Sequence, residues 1–213
     1  MDLKELWNQK WKNISKQLPE TDFAKKCSDF LKEKENKNLL EIGCGDGKDS
    51  IYFAEKWFEV TALDFSQEAI FKLENRVKEK NIKNITTKVQ DIRNMDFPED
   101  SFDIIYSNLS LHYFNHKDTV KIIKELYGLL KKDGYIFIKC KSTKDRLFLE
   151  WKKIEEKLYL ANNKEYNFFD EEYIKTLLEN LEIISIENSS SELLNMDNKT
   201  NKSHFIEAIA RKK

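Results

Sequence analysis

Apolar residues recur every third or fourth position at Leu3, Trp7, Trp11, Ile14 and Leu18, which predicts an amphipathic helix closed by Pro19. Thr21 or Asp22 can cap a second helix whose apolar stripe is Phe23, Cys27, Phe30 and Leu31. Charges of both signs from Lys32 to Lys37 read as a solvated helix end and linker. Short apolar runs then alternate with helical stripes. Strands are expected at 39–42, 59–63, 85–89, 102–106 and 135–140. Helices are expected over 48–57, after a Ser66 cap through Ala69, Ile70, Leu73 and Val77, and through Val120, Ile123, Leu126 and Leu130. Met95 to Pro98 is a loop. Lys141 to Phe169 breaks the alternation and is predicted to hold a helix around Trp151 to Tyr159. Asp170 caps a further helix with Glu171 and Glu172 in its first turn, where carboxylates suit the dipole. Two last strands, 182–186 and 205–210, flank the polar stretch Ser189 to Lys202.

Repeated strand–helix alternation predicts an α/β fold, a mainly parallel sheet with helices on both faces. The last two strands have no helix between them, so their connection reads as a hairpin and the final strand as antiparallel. The chain divides into N-terminal helices (1–36), a core (37–142), an insertion (143–169) and a C-terminal helix and hairpin (170–213), all one domain.

Composition narrows the partners. With 40% hydrophobic residues in 213, one core can form without disulfides or metals. The 35% charged residues nearly cancel, and a net charge of −1 leaves no footprint for nucleic acid. The basic end Arg211-Lys212-Lys213 reads as solubilising. Asp2, Lys4, Glu5 and Lys10 argue against a signal peptide, and no apolar run reaches the ~20 residues that span a bilayer. Cys27, Cys44 and Cys140 match neither a disulfide framework nor zinc-ligand spacing, and read as small buried hydrophobes. A cytoplasmic protein with no metal and no membrane partner is expected.

Of five glycines, three fall inside Glu41-Ile42-Gly43-Cys44-Gly45-Asp46-Gly47, between a predicted strand and a predicted helix. Glycine is that dense where a backbone turns tightly and a ligand or helix approaches it closely. Dinucleotide binding prefers G-x-G-x-x-G, but the third position is Lys48 here. Glu41, Asp46 and Asp49 would also repel a pyrophosphate at the helix N-terminus. S-adenosylmethionine carries an ammonium and a sulfonium and no phosphate. An acidic loop suits it.

The segment Leu39 to Ala54 (LLEIGCGDGKDSIYFA) resembles the first motif of the class I, seven-stranded, Rossmann-like S-adenosylmethionine-dependent methyltransferases. The resemblance spans about 38 to 140 and holds several motifs in order. It implies a three-layer sandwich with strand order 3-2-1-4-5-7-6. It implies S-adenosyl-L-methionine as cofactor, S-adenosyl-L-homocysteine as product and a loop contact at Gly43, Cys44 and Gly45. Asp64 then matches the acid that accepts both ribose hydroxyls, and Asp91 with Ile92 the pair that holds adenine. Asn108 and Leu109 match the motif beside the methionine part. The usual proline–glycine turn before the fifth strand is replaced by Lys132-Asp133. Each residue has a plainer reading. Asp64 could cap the next helix and Asp91 could be a turn aspartate. Glu41 either ties down loop amides or meets the ammonium. Phe65 either stacks on adenine or belongs to the core.

The resemblance implies in-line methyl transfer to a small-molecule acceptor, which asks the protein mainly for alignment and exclusion of water. His112 is the candidate general base, since an ordinary histidine titrates near about 6.5; its alternative is a loop-orienting role. His116 and His204 have weaker claims. Acceptor contacts are expected from Trp7, Trp11, Tyr113 and Phe168, with the aromatic insertion as a lid. A monomer or homodimer is compatible with the sequence. Other readings are a non-catalytic S-adenosylmethionine-binding protein, a methyltransferase of protein or RNA, and a nicotinamide-dependent oxidoreductase, the last disfavoured by Lys48.

Overall fold

The computed structural model describes residues 3–15, 18–32, 37–145, 148, 152–155, 158–161, 164–194 and 200–213. In chain order the early elements are α1 (Leu3–Asn13), α2 (Asp22–Phe30), β1 (Asn38–Ile42), α3 (Lys48–Glu55), β2 (Glu59–Asp64), α4 (Gln67–Glu79) and β3 (Ile85–Val89). Next come β4 (Phe102–Asn108), a 3-10 turn (Leu111–Tyr113), α5 (His116–Leu129) and β5 (Leu130–Lys141). Three short strands follow, β6 (Lys152–Glu155), β7 (Leu158–Ala161) and β8 (Lys164–Asn167). The last elements are α6 (Glu171–Leu177), β9 (Glu182–Leu194) and β10 (Thr200–Arg211).

The strand β1 is buried at four of its five positions and pairs in parallel with β2 on one side and β4 on the other. A strand covered on both faces needs a nearly continuous apolar run, which Leu39, Leu40 and Ile42 supply. The main sheet has seven strands in the order β3-β2-β1-β4-β5-β10-β9, and β10 is antiparallel to both neighbours. The expected order and the expected antiparallel last strand are both present. Neighbouring residues of β1 face opposite layers. Leu40 belongs to one apolar cluster with Ile122 and Leu126 of α5 and Ile174 of α6, whereas Leu39 belongs to another with Phe23 of α2, Phe53 of α3 and Ile70 of α4. That is a three-layer sandwich. The caps follow the sequence: Thr21, Ser66 and Asp170 each accept a backbone N–H of the first helical turn.

Several expectations are corrected. The first helix stops at Asn13, not at Pro19, and Leu18 is exposed. Proline disfavours helical backbone at the residue before it, and the chain is drawn down to Thr21, whose amide donates to Asp49 at 2.8 Å. The helix over 48–57 ends at Glu55, and Trp57 adopts a left-handed φ of 66°. The helix expected around Trp151 to Tyr159 is absent from the described part of that segment. There β6, β7 and β8 form a separate antiparallel sheet. Leu158 and Tyr159 are both buried while Ile154 is exposed, so the apparent helical spacing is not the face that packs. Trp151 itself and residues 33–36 of the predicted linker lie outside the described residues. Finally, most of the polar stretch Ser189 to Lys202 is strand, with Ser189 opposite Phe205 and Glu192 opposite Lys202. A backbone ladder pairs without apolar side chains, so hydrophobic pattern alone ends these strands too early.

Candidate active site

The carboxyl ends of β1, β2 and β4 open into a cavity of about 320 Å³. The loop from Gly43 to Gly47 forms its floor. Amides of Gly43 and Cys44 both donate to Leu63 O, at 2.7 and 3.0 Å, which ties the loop to the end of β2. Gly45 has φ +57°, and a Cβ there would lie 2.6 Å from the Trp11 ring. Glycine at this point lets α1 lie directly on the loop. Arg76 of α4 fastens the loop from the side, 2.8 Å from the Asp46 carboxylate and 2.6 Å from the Asp46 carbonyl.

Four buried carboxylates line the cavity, Glu41, Asp49, Asp64 and the Arg76-paired Asp46. Glu41 accepts from the Ser50 hydroxyl; burial first, and Asp49 second, push its carboxyl well above the usual range. Asp64 accepts amides of Gly45 and Ser66, each at 2.9 Å, and burial outweighs these bonds to raise it. Asp49 accepts from Thr21, Tyr106 and Asn108. The Asn108 amide gives its Nδ2 to Asp49 at 3.1 Å, while its Oδ1 is buried with no partner among the described residues. Leu109 beside it has a left-handed φ of 58°, a conformation that sites retain at some cost in strain. Asp91 differs from the buried acids. Partial burial raises it, but Arg93 chelates it at 2.6 to 3.1 Å and the balance holds the carboxyl below its usual range.

The opposite wall is aromatic. Trp7 stands edge-on to Tyr113 at 5.1 Å, and the Lys10 ammonium lies 4.0 Å over the Trp7 ring. Tyr113 in turn contacts Tyr166 of β8, ring to ring at 5.2 Å and through their hydroxyls. Polar ties also hold α1 to α4: Ser66 donates to Asn8 Oδ1 at 2.7 Å, and Lys72 donates to the Ile14 carbonyl.

All ten residues expected on the cofactor side line this one cavity: Glu41, Gly43, Cys44, Gly45, Asp64, Phe65, Asp91, Ile92, Asn108 and Leu109. Trp7, Trp11 and Tyr113 line it as well. Two expected residues do not. Phe168 is fully buried between Phe148 and Tyr159, at 5.5 and 5.3 Å. His112 is 2% exposed and is not on the cavity wall. Burial drives its pKa down to about 3, and its Nδ1 has no partner among the described residues. The 3-10 turn aims Leu111 and His112 into the protein and leaves Tyr113 at the cavity. The geometry of this structure therefore gives no support to His112 as a general base in the cavity. Sequence reasoning missed Lys10 and Arg93, and counted Asp46 and Asp49 only as loop charge. The spacing of Arg93 two residues after Asp91 is the one signal that could have found the chelate.

Residues 39–134 match a family model described as a methyltransferase domain. The solved structure of an S-adenosylmethionine-dependent methyltransferase from Methanosarcina mazei superposes with a TM-score of 0.74 at 25% identity, covering 92% of this chain and 99% of that one. Over residues 39–134 the chain thus matches a methyltransferase domain, and its sheet has the class I methyltransferase fold. Phosphoethanolamine N-methyltransferase 3 of Arabidopsis thaliana is 35% identical to it over 111 residues, 52% of this chain and 22% of the plant protein. The chain spans 22% to 37% of the length of the curated relatives it matches first. A Burkholderia thailandensis 1,6-didemethyltoxoflavin-N1-methyltransferase, solved with its acceptor and S-adenosylhomocysteine bound, has a TM-score of 0.67 at 18% identity. It covers 99% of this chain and 84% of that one, a likeness of fold. The methyltransferase fold thus accounts for the sheet and its loops. No helix among the described residues is long and apolar enough to cross a membrane.

Proposed function

We propose that this methyltransferase domain binds S-adenosylmethionine in the cavity at the carboxyl ends of β1, β2 and β4 and methylates a small-molecule acceptor held against its aromatic wall. The observation that carries the reading is the charge of the sheet-side wall. Glu41, Asp49 and Asp64 are buried together around a glycine loop, beside an Asn108 Oδ1 that has no partner among the described residues. Such a wall favours a cation, and the glycine loop admits close approach of a ligand backbone-side. The residues therefore fit the cofactor that the family implies.

In this reading Asp64 takes the ribose hydroxyls on the lone pairs its two amides leave over, and Asp91 with the Ile92 amide takes adenine. Glu41 and Asn108 face the ammonium. When bound, S-adenosylmethionine supplies a methyl group already activated by its sulfonium. Trp7, Trp11 and Tyr113 then align the acceptor and exclude water, the contribution that in-line transfer asks of a protein. With His112 buried away from the cavity, the acceptor is one that attacks from its neutral or self-ionised form. Names of relatives such as phosphoethanolamine N-methyltransferase support an acceptor of small size.

Calorimetric titration with S-adenosylhomocysteine, beside NAD, tests the binding step. Saturable heat and a raised Tm are expected with the first and not the second. No binding at millimolar S-adenosylhomocysteine overturns the reading. Transfer of labelled methyl to a panel of small amines, phenols and thiols tests the reaction; binding without transfer to any acceptor would favour the non-catalytic alternative.

A further inference from the structure

Asp49 lies in the first turn of α3, buried and on the cavity wall. An ionised carboxylate has about four lone-pair sites and no donor. Four donors reach it here, three of them on one oxygen. Oδ1 accepts the Thr21 amide at 2.8 Å; Oδ2 accepts the Thr21 hydroxyl at 2.8 Å, the Tyr106 hydroxyl at 2.8 Å and Asn108 Nδ2 at 3.1 Å. Oδ2 is thereby crowded with donors, while Oδ1 keeps one lone pair beyond the Thr21 amide. The effect of Asp49 falls on Asn108.

An acceptor-only neighbour can pair only with the NH2 side of an amide. Asp49 therefore dictates which way the Asn108 amide faces, and sends Oδ1 in the opposite direction. That oxygen is buried, lacks a partner among the described residues and belongs to a cavity-lining side chain. A buried acceptor left unpaired is costly unless a ligand donor completes it. An ammonium would; a ligand carboxylate would be repelled.

We infer that Asp49, pinned by Thr21 and Tyr106, is a positioning residue that locks the Asn108 amide so that Oδ1 receives the ammonium of the bound ligand's amino-acid tail. The inference rests on the proposed S-adenosylmethionine site. Thr21 gives the device a second consequence. Its hydroxyl also caps α2, accepting the Ala24 amide at 3.2 Å, so the connection from α1 to α2 is fastened to the cavity wall at the same atom.

The test uses two probes that share adenosine and a thioether: S-adenosylhomocysteine, and 5′-methylthioadenosine, which lacks the amino-acid tail. Both are titrated calorimetrically into the wild-type chain, Asp49→Asn and Tyr106→Phe. Asp49→Asn frees the Asn108 amide to rotate, and should weaken S-adenosylhomocysteine about 10- to 100-fold, the range for hydrogen bonds to a charged group. Methylthioadenosine should bind as before. Tyr106→Phe keeps shape and the Asp49 charge while removing one pin, and should cost S-adenosylhomocysteine a smaller factor, about threefold. Equal loss of both probes in the variants would mean a general disturbance of the pocket and overturn the inference. So would a Tyr106→Phe chain that binds S-adenosylhomocysteine like wild type, since Asp49 would then act by charge alone. Failure of the wild-type chain to bind either probe is a different result: it removes the proposed site itself.

Discussion

On the sheet side of the cavity, Asp64 is held by two backbone amides and Asp49 by four donors, whereas the cover is joined chiefly ring to ring, Trp7 on Tyr113 and Tyr113 on Tyr166. Hydrogen bonds to strand ends inherit the rigidity of the sheet. Ring contacts are non-directional by comparison, so they can exchange partners without breaking a backbone bond. The family match follows the same division. It covers 39–134, which holds the glycine loop, Asp64, Asp91 and Asn108 but neither α1 nor the sheet of β6, β7 and β8. The matched stretch carries the sheet-side wall together with Tyr113, and leaves out Trp7 and Trp11 of the aromatic wall. We propose that acceptor choice belongs with the aromatic wall.

The strongest way to break this contrast is at the point where the two walls touch. Gly45→Val puts a branched side chain on a left-handed residue whose Cβ would meet the Trp11 ring at 2.6 Å. The backbone conformation alone costs an L-residue roughly 1–2 kcal/mol. We expect α1 to be displaced and S-adenosylhomocysteine binding to fall at least 100-fold, read by titration and by hydrogen exchange in α1. A variant that binds normally, with α1 still protected, would separate the loop from the ligand.

A smaller effect sharpens the sheet side. Burial raises the Glu41 carboxyl well above its ordinary range, so part of it is protonated at pH values where a free glutamate is ionised. A cationic ligand prefers the ionised form. Binding should therefore release protons, and affinity should be full above the raised pKa and decline as pH falls through it. The same titration in buffers of different ionisation enthalpy measures the release. Glu41→Gln should abolish it and flatten the pH profile. Proton release unchanged in Glu41→Gln would assign the linkage to another acid.

Much of the sheet side was legible because its residues sit where strands end. Once Leu39 to Ile42 reads as a buried strand, the loop, Asp64 and Asn108 must gather at one edge of a parallel sheet. The cover was less legible. Lys152 to Leu158 fits a helical period and a strand period about equally, and only the burial of Leu158 beside Tyr159 decides between them. The role of Asp49 could not be read either, since its partners Thr21 and Tyr106 lie 28 and 57 residues away. Phe168 was placed in the cover by its aromatic character alone. Its ring is spent on Phe148 and Tyr159, which hold the small sheet together.

The smallest effect on binding is expected at His112, where sequence position and side-chain direction disagree. It lies between two cavity-lining residues, Ser110 and Tyr113, yet faces the interior, stacked parallel to Tyr166 at 6.0 Å. His112→Phe keeps a ring in that stack and removes Nδ1, which has no partner among the described residues. Affinity for S-adenosylhomocysteine should stay within about twofold, because no bond to the cavity is lost. The change should appear in acid stability instead. In the folded chain burial lowers the imidazole pKa from 6.5 to about 3. Between those values the unfolded chain binds more protons, so stability rises with pH up to 6.5 and is flat above. The wild-type Tm should thus fall faster than that of His112→Phe as pH drops below 6.5, the two curves running parallel at higher pH. Parallel curves throughout, together with a tenfold loss of methyl transfer in the folded variant, would return His112 to the active site.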